Sequence, residues 1–194
     1  MKETAEALRG RILTGAIALF IERGVERVTT RELTERLGIS RSHIYHYFRD
    51  WETLCREAMT QFMREDEADF TARLQGLNAR ARLMAFVSDY LPAEPHASWS
   101  LYSSLWQLAI HDAEWAEMAQ TLMTRWHEIM ADIIRAGLAA GEFRHGDPEQ
   151  ITRQLSAMVN GYAEQLIVAP SPLKHRAASE DIAAFIALAL RPVG

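Results

Sequence analysis

The sequence lacks most of what marks a secreted, membrane-spanning or disulfide-stabilised protein. It has one cysteine, Cys55, and six prolines among 194 residues, so an internal disulfide framework is excluded. No apolar run reaches the roughly 18 residues that a membrane-spanning helix needs. The first residues, MKETAEALRGR, lack the apolar core of a secretory signal. These absences predict a cytoplasmic protein with no membrane partner, in which Cys55 is a small packing residue.

Alternating strand patterns are also missing. Nearly every segment follows the helical period of 3.6 residues, and glycines or prolines separate the segments. We therefore predict an all-α fold of about nine helices. In chain order the later helices are expected at about residues 51–74, 79–90, 98–110, 114–140, 148–168 and 179–190, with APSPLKHRA as the last loop.

Charge is unevenly distributed along the chain. Residues 1–64 carry 11 Lys and Arg against 9 Asp and Glu, whereas residues 65–194 carry 10 against 17. The net charge of −5 argues against a nucleic-acid partner for the chain as a whole. The mildly basic N-terminal part is nevertheless compatible with one.

Residues 29–48, TTRELTERLGISRSHIYHYF, predict two short helices joined by a tight turn. Thr29 and Glu32 have the spacing of a capping box, Gly38 ends the first helix, and Ser40 is placed to cap the second. The apolar side chains of both segments are spaced to pack on the preceding helix. This arrangement leaves a polar row projecting from the second helix, formed by Arg41, Ser42, His43, Tyr45 and His46.

A helix-turn-helix that presents such a row is typical of proteins that read the major groove of DNA. Arginine can bind guanine through two hydrogen bonds, hydroxyl and imidazole groups can bond bases or phosphates, and a tyrosine ring can contact the thymine methyl. A generic helical hairpin with a polar face is the alternative interpretation.

The segment VTTRELTERLGISRSHIYHYFRDWETL resembles the N-terminal signature of TetR-family transcriptional regulators over about residues 8–60. The matching features are the Thr29-Thr30 pair, the Gly38-Ile39-Ser40 turn, the Tyr45-x-Tyr47-Phe48 group and the following Leu54. The resemblance implies a DNA-binding domain in residues 1–50 and a helical effector-binding and dimerisation domain in residues 51–194. It further implies a repressor that binds a palindromic operator as a homodimer and is released by a small-molecule effector.

The same resemblance implies where individual residues meet DNA. Thr30 and Tyr47 are expected at phosphates, and Arg31 is expected to reach the groove from the preceding helix. Bases are expected to meet Arg41, Ser42, Tyr45 and His46, with His43 at a base or the backbone. The full expected DNA-binding set is Thr29, Thr30, Arg31, Ser40, Arg41, Ser42, His43, Tyr45, His46, Tyr47 and Arg49.

Trp51 departs from the family pattern. The family commonly has a lysine at this position, at the start of the fourth helix, where it contacts a phosphate. Either Arg49 replaces the missing charge or the hold on the phosphate is weaker.

The last two helices carry long apolar stripes. These stripes could simply cover the chain's own core, whereas the resemblance implies a four-helix dimer interface around a twofold axis. The expected dimer residues are Ile151, Leu155, Met158, Val159, Tyr162, Leu166, Ile182, Phe185, Ile186 and Ala189.

Aromatic and methionine side chains concentrate in the sixth and seventh helices. Such stripes are typical of a core, but the resemblance implies an effector pocket between the fourth and eighth helices. The expected pocket residues are Trp99, Tyr102, Trp106, Met123, Trp126, Met130 and Tyr162.

The stretch LYSSLWQLAIHDAEWAEMAQ is loosely similar to the C-terminal domain of choline-responsive betaine regulators in the same family. This similarity makes a cationic amine one candidate effector, and a neutral apolar or aromatic molecule is at least as well supported by the residues. A cation would be held by aromatic rings near a carboxylate, for which the candidates are Asp89, Glu94, Asp112, Glu128 and Glu164.

Other function classes have less support in the residues. An enzyme is not expected, because the sequence has no Gly-rich phosphate loop and no Gly-x-Ser-x-Gly elbow. Glu142 and His145 have a metal-binding spacing but fall in a turn, and His43 and His46 lie on the reading helix, so no metal or cofactor is expected. A helical adaptor and a constitutive DNA-binding protein without an effector remain alternatives.

Overall fold

The computed structural model describes residues 4–91, 93, 97–144 and 146–191. Within these ranges it contains nine α-helices and a short 3-10 helix, Val25–Arg27, which confirms the all-α prediction. The helices are α1 Ala5–Arg23, α2 Thr30–Leu37, α3 Arg41–Tyr47, α4 Trp51–Arg73, α5 Ala79–Tyr90, α6 Ala97–Ala109, α7 Ala113–Ala139, α8 Pro148–Val168 and α9 Pro172–Leu190. In the described part of the chain, no helix has both the length and the apolarity to cross a bilayer.

The chain divides into two compact units. The first comprises Met1–Phe70 and Ala97–Gln120, and the second comprises Thr71–His96 and Thr121–Gly194. The first unit therefore contains α1 to α3, most of α4, α6 and the start of α7. The second contains α5, the rest of α7, α8 and α9.

Helix α1 provides the packing face for the N-terminal part of the first unit. Thr4 accepts a hydrogen bond from the Ala7 amide at 3.2 Å and so caps the helix. The helix ends at Gly24, whose φ of 84° favours glycine. Its buried side chains follow the helical period: Ile12, Leu13, Ala16, Ile17, Leu19 and Phe20.

Helix α2 begins with the predicted capping box. The Thr29 hydroxyl accepts from the Glu32 amide at 3.3 Å, and the Glu32 carboxylate accepts from the Thr29 amide at 2.9 Å. The helix lies close to α1, because a Cβ on Gly15 would lie 2.8 Å from the Leu37 side chain. Arg11 donates to the Leu37 carbonyl at 3.1 Å, which gives a terminal carbonyl of α2 a partner.

Helix α4 is capped by Asp50, whose carboxylate accepts from the Thr53 amide at 2.7 Å. Cys55 is buried in this helix, where it packs as predicted. In the same unit α6 meets the last turn of α1 and the segment that follows it through two hydrogen bonds at 3.3 Å. The Val25 amide donates to Ser104, and the Ser100 hydroxyl donates to the Ile21 carbonyl.

Glu142 has a structural role in the second unit. Its carboxylate accepts from the Ala79 amide at 3.1 Å and the Arg80 amide at 3.0 Å, and it thereby caps α5 together with Asn78. His145, the other residue of the metal-like spacing, lies outside the described residues.

The predicted start of the last helix was wrong. Helix α9 begins at Pro172 rather than near residue 179, so most of the stretch assigned to a loop is helical. Proline at the first helical position has no amide to leave unpaired, and Ser171 caps the helix by accepting from the Lys174 amide at 3.4 Å. The Ser-Pro pair was the sequence signal for this start.

Candidate nucleic-acid interface

Helix α3 separates a buried face from an exposed one. Ile44 and Phe48 are buried against the first unit's core, and Leu33 of α2 is buried with them. All five side chains of the predicted reading row are exposed: Arg41, Ser42, His43, Tyr45 and His46. Since Ile44 and Phe48 fix the rotation of the helix, the polar row has a defined direction.

The turn between α2 and α3 is built on Gly38, which adopts the left-handed conformation with φ of 64°. The expected side-chain cap by Ser40 was wrong, because Ser40 occupies the N-cap position without a capping hydrogen bond. Its hydroxyl instead lies 2.7 Å from Ser42 Oγ and 2.6 Å from His43 Nδ1. Three of the predicted DNA-binding side chains thus form one exposed polar network.

The two predicted threonines have different environments. Thr29 is exposed and belongs to the capping box, where its hydroxyl also donates to Glu32 at 2.9 Å. The hydrogen bond from the Thr29 amide, followed by the one from its hydroxyl, is the main reason why the pKa of Glu32 is below its usual value. Thr30 is buried, and its hydroxyl lies 3.4 Å from the phenol oxygen of Tyr45. The Thr30 side chain therefore points to a side chain of α3.

Most arginines near this surface are held in ion pairs. Arg31 lies 2.7 Å from Glu35 on α2, and Arg49 lies 2.8 Å from Asp50. Further pairs join Arg36 to Glu22 and Arg23 to Glu32. The exposed pairs stabilise the fold little, but they neutralise charge that DNA would otherwise meet.

Arg41 has a different partner. Its guanidinium carbon lies 5.7 Å from the ring centroid of Tyr45, four residues later on α3. Among the described residues no carboxylate forms an ion pair with Arg41, so its charge is available to a phosphate or base. The sequence identified Arg41 but gave no means of distinguishing it from Arg31 and Arg49.

The aromatic residues at the end of α3 continue into α4. His46 and Tyr47 contact each other edge to face, with ring centroids 4.9 Å apart. Trp51 packs edge-on against Phe20, with centroids 6.4 Å apart. Trp51 is therefore part of the packing of the first unit.

The aromatic residues predicted for an effector pocket fall into both units. In the first unit, Tyr102 lies 6.4 Å from Trp99 and 5.6 Å from Phe62, measured between ring centroids. The Tyr102 hydroxyl donates to the half-buried carboxylate of Asp66. Phe62 and Asp66 were not predicted for the pocket, although their spacing of four on α4 places them on one helix face. Trp106, by contrast, is 39% exposed.

In the second unit, Trp126 is buried at the centre of an aromatic group. Its ring centroid lies 5.7 Å from Phe86 and 6.1 Å from Tyr90, neither of which was predicted for the pocket. Met130 is buried and lies 3.8 Å from the Ser156 hydroxyl, whereas Met123 is 39% exposed.

Tyr162 was predicted for both the pocket and the dimer interface. Its hydroxyl donates to Asp181 and so joins α8 to α9. This hydrogen bond is the main reason why the pKa of Tyr162 is above its usual value.

The carboxylates proposed to hold a cation are mostly engaged elsewhere. Asp89 forms an ion pair with Arg73 at 2.5 Å, and Asp112 caps α7 by accepting from the Trp115 amide at 3.1 Å. Glu128 lies 3.5 Å from Arg125, Glu164 is exposed, and Glu94 lies outside the described residues. No group of three metal-ligating side chains occurs within the described ranges.

The predicted dimer residues divide by burial. Six are buried within the chain itself: Ile151, Leu155, Val159, Leu166, Ile182 and Ile186. The other four, Met158, Tyr162, Phe185 and Ala189, are partly exposed. Exposed small and apolar residues lie elsewhere on the same two helices, at Ala157 and Gly161 on α8 and at Ala184 and Leu188 on α9.

Comparisons with known proteins agree with the helix-turn-helix reading. Residues 12–58 match the model described as bacterial regulatory proteins, tetR family, and residues 79–191 match that of the BetI-type transcriptional repressor, C-terminal. The chain is 26% identical over 139 residues to the HTH-type transcriptional repressor KstR2 of Rhodococcus jostii, covering 70% of this chain and 68% of the relative. It is 34% identical over 93 residues to the HTH-type transcriptional repressor Rv1474c of Mycobacterium tuberculosis, covering 48% and 46%.

Solved structures share the fold. A transcriptional regulator from Saccharomonospora viridis in complex with choline has a TM-score of 0.81 at 24% identity, covering 93% of this chain and 96% of that one. A TetR transcription regulator from Haloarcula marismortui has a TM-score of 0.82 at 15% identity, covering 94% and 97%. The matched families and the proteins of similar structure are transcriptional regulators and not enzymes. The chain therefore belongs to the TetR family of bacterial transcriptional regulators, with a C-terminal region of the BetI-type repressor class.

Proposed function

We propose that this protein is a ligand-responsive repressor that binds a palindromic operator as a homodimer and leaves it when a small molecule binds. The observation that carries the proposal is the exposed row on α3, which Ile44 and Phe48 hold in a fixed direction. In this proposal residues 1–50 read DNA, and residues 51–194 bind the effector and form the dimer, in the cytoplasm.

Selection of genomic fragments tests the DNA-binding part of the proposal. Purified protein would retain fragments at about 150 mM salt, where phosphate-only binding is weak, and the retained DNA would be sequenced. We expect a palindrome with half-sites about one helical turn apart. Retention of unrelated sequences, or of nothing by a folded protein, would contradict the proposal and favour an adaptor.

The dimer interface is proposed to use the exposed residues of α8 and α9. Ala157 and Gly161 are four residues apart on α8, and Ala184 and Leu188 are four apart on α9, so each pair lies on one helix face. A Cβ on Gly161 would meet nothing within 4 Å, and Leu188 is 73% exposed. Small residues beside a large exposed leucine allow another pair of helices to approach closely.

Sedimentation of Leu188→Glu tests this interface. A buried glutamate without a partner is costly, so we expect the variant to be monomeric at concentrations where the wild type is a dimer. Ile110→Glu is the matched control, because Ile110 is 72% exposed on the segment after α6. A dimeric Leu188→Glu, or a monomeric control, would place the contact elsewhere.

The effector is proposed to be a cationic amine. Two observations support this class: the match to the BetI-type C-terminal model and the choline bound by a regulator with the same fold. In this chain the Tyr102 hydroxyl bonds the Asp66 carboxylate, and the Tyr102 ring packs with those of Phe62 and Trp99. Aromatic faces with a nearby carboxylate attract a quaternary ammonium group.

Choline and its neutral carbon isostere, 3,3-dimethylbutan-1-ol, separate the two effector classes. We expect choline to raise the melting temperature and release the operator, and the isostere to do neither. Asp66→Asn should weaken the choline response, whereas Glu149→Gln at the exposed start of α8 should not. An equal response to both compounds would favour a neutral effector, and no response to any ligand would favour a constitutive DNA-binding protein.

Helix α4 is proposed to carry the effector signal to the DNA-reading helix. It pairs with α1 through Glu57 and Arg9, and Arg9 also lies 5.2 Å from the ring centroid of Phe48 at the end of α3. Asp66, nine residues later on α4, bonds Tyr102 of α6. A ligand that prefers one position of α4 can shift DNA affinity by no more than its differential affinity for the two positions.

A further inference from the structure

Tyr45 lies between a buried hydroxyl and an exposed charge. Its phenol oxygen is 3.4 Å from Thr30 Oγ1 on α2, and its ring centroid is 5.7 Å from the guanidinium carbon of Arg41. Thr30 is 8% exposed, whereas Tyr45 is 41% exposed. The contact therefore runs from the packed part of α2 to the solvent side of α3.

Both neighbours act on the phenol oxygen of Tyr45. The pKa of Tyr45 is below its usual value, chiefly because of the hydrogen bond with Thr30 and secondly because of Arg41. Arg41 and Tyr45 are four residues apart, so they lie on one face of α3. Thr30 thus holds the phenol end of Tyr45, and Arg41 contacts the same side chain.

Arg41 differs in this respect from the other arginines of the surface. Arg31 and Arg49 are paired with carboxylates, at 2.7 Å and 2.8 Å. Arg41 rests on an aromatic ring, which orients a guanidinium without neutralising it. An arginine that is oriented before binding loses less rotamer freedom when it bonds a guanine, so its discrimination between bases increases.

We propose that Thr30 and Tyr45 are positioning residues that direct Arg41 to one guanine in each half-site. The proposal rests on the operator binding proposed above. It changes two expected roles: Thr30 acts through Tyr45 instead of through a phosphate, and Tyr45 acts through Arg41 instead of at a base of its own.

Selection from a random duplex library, followed by sequencing, measures base preference at each operator position. Arg41→Ala should abolish the preference for guanine at one position per half-site. Tyr45→Leu should weaken the preference at that same position by about 2- to 5-fold, the value of an exposed cation–π contact. Adding Tyr45→Leu to Arg41→Ala should cause no further change, because the ring then has no cation to orient.

Two conservative variants test the contact between Thr30 and Tyr45 separately from the contact between Tyr45 and Arg41. Tyr45→Phe keeps the ring and loses the hydroxyl, and Thr30→Val removes the other end of the same hydrogen bond. We expect each to weaken the guanine preference less than Tyr45→Leu, and the double variant to equal either single one. Ser42→Ala on the same helix is the control and should leave the preference at the Arg41 position unchanged. Thermal unfolding of each variant checks that the fold is retained.

Three outcomes would overturn the proposal that Thr30 and Tyr45 direct Arg41. Tyr45→Leu could alter a different base pair from Arg41→Ala, with additive effects, which would give Tyr45 a base contact of its own. It could lower binding to all sequences equally, which would make its role structural. A wild-type protein that enriches no sequence would overturn both the positioning of Arg41 by Thr30 and Tyr45 and the proposed operator binding. The first two outcomes leave operator binding intact.

Discussion

Trp51 packs edge-on against Phe20, with ring centroids 6.4 Å apart and ring planes at 84°. Phe20 is fully buried in α1, and Trp51 is the first residue of α4, so the contact joins the start of α4 to the core of the first unit. The position at which TetR regulators commonly carry a phosphate-binding lysine is used for packing in this chain.

Trp51→Lys should lower the stability of the protein and add a contact with DNA. Loss of the aromatic contact is expected to lower the free energy of unfolding by about 1–3 kcal/mol. The new charge should steepen the plot of log affinity against log salt by about 1 per protomer. Chemical denaturation and salt-dependent binding to the selected operator measure the two effects. Trp51→Ala is the control, with a similar loss of stability and an unchanged slope; a steeper slope for alanine would contradict the explanation.

Glu35→Gln should strengthen operator binding by freeing Arg31 from its ion pair. The pKa of Arg31 is above its usual value, chiefly because of the hydrogen bond with Glu35, and both side chains are exposed. We expect affinity at constant salt to rise by about 3- to 10-fold, the effect of one more phosphate contact. Glu128→Gln on α7 also removes an exposed ion pair, changes the net charge equally and should leave affinity unchanged. Equal effects of the two variants would mean that only net charge matters.

Gly137→Ala should destabilise the second unit. A Cβ on this residue of α7 would lie 2.2 Å from the ring of Phe143, which is buried and has little room to move. Overpacking of this kind costs about 1–3 kcal/mol, which outweighs the helix propensity that alanine gains. Gly10→Ala in α1 is the matched control, since its Cβ would meet nothing within 4 Å. There we expect a gain of up to about 1 kcal/mol in the free energy of unfolding.

Cys55 should react slowly with thiol reagents in the folded protein. Burial in α4 raises the pKa of its thiol to about 12, so the reactive thiolate is scarce at neutral pH. We expect a disulfide reagent at pH 8 to label it only at the rate of unfolding, and rapidly once denaturant is added. Rapid labelling of the native protein would show that α4 opens locally at this residue.

Asp50 should make stability depend on pH in the acidic range. Its pKa lies below the ordinary value of 3.8, because of its hydrogen bonds with Thr53 and then with Arg49. A lowered pKa adds stability that is complete above the unfolded value and is lost as pH falls towards the folded value. The advantage of the wild type over Asp50→Asn should therefore be constant above about pH 5 and shrink below it. Denaturant melts across this range measure the difference, and a gap that widens at low pH would contradict the assigned cause.

Local signals predicted the helices where caps and period agreed. The capping box at Thr29, the proline start at Pro148 and the cap at Asp147 all occur as the sequence indicated. The start of α9 at Pro172 was missed because the stretch APSPLKHRA was interpreted as a loop. Local chemistry thus suffices for helix ends, provided that each proline is assessed for the position that it would occupy.

The candidate sites were predicted less completely than the helices. Periodicity predicted which side chains of α3 are exposed, because burial of Ile44 and Phe48 determines the rest of that helix. It did not predict that Asp66 would meet Tyr102, 36 residues away along the chain. The family resemblance placed Ile151 in a dimer surface, although this residue is buried within the chain. An apolar stripe shows which side chains avoid water, but it does not show whether the chain's own core or a partner protomer covers them.

The sequence by itself determined an all-α protein of the TetR family with an exposed polar row on its third helix, because helix period, caps and turn residues are local properties of the chain. Tertiary structure decided which charges are free to meet DNA. Arg31, Arg41 and Arg49 are equivalent as residue types, yet two have carboxylate partners and Arg41 rests on Tyr45. Side-chain direction depends on how the helices rotate against their shared core, which no single segment specifies.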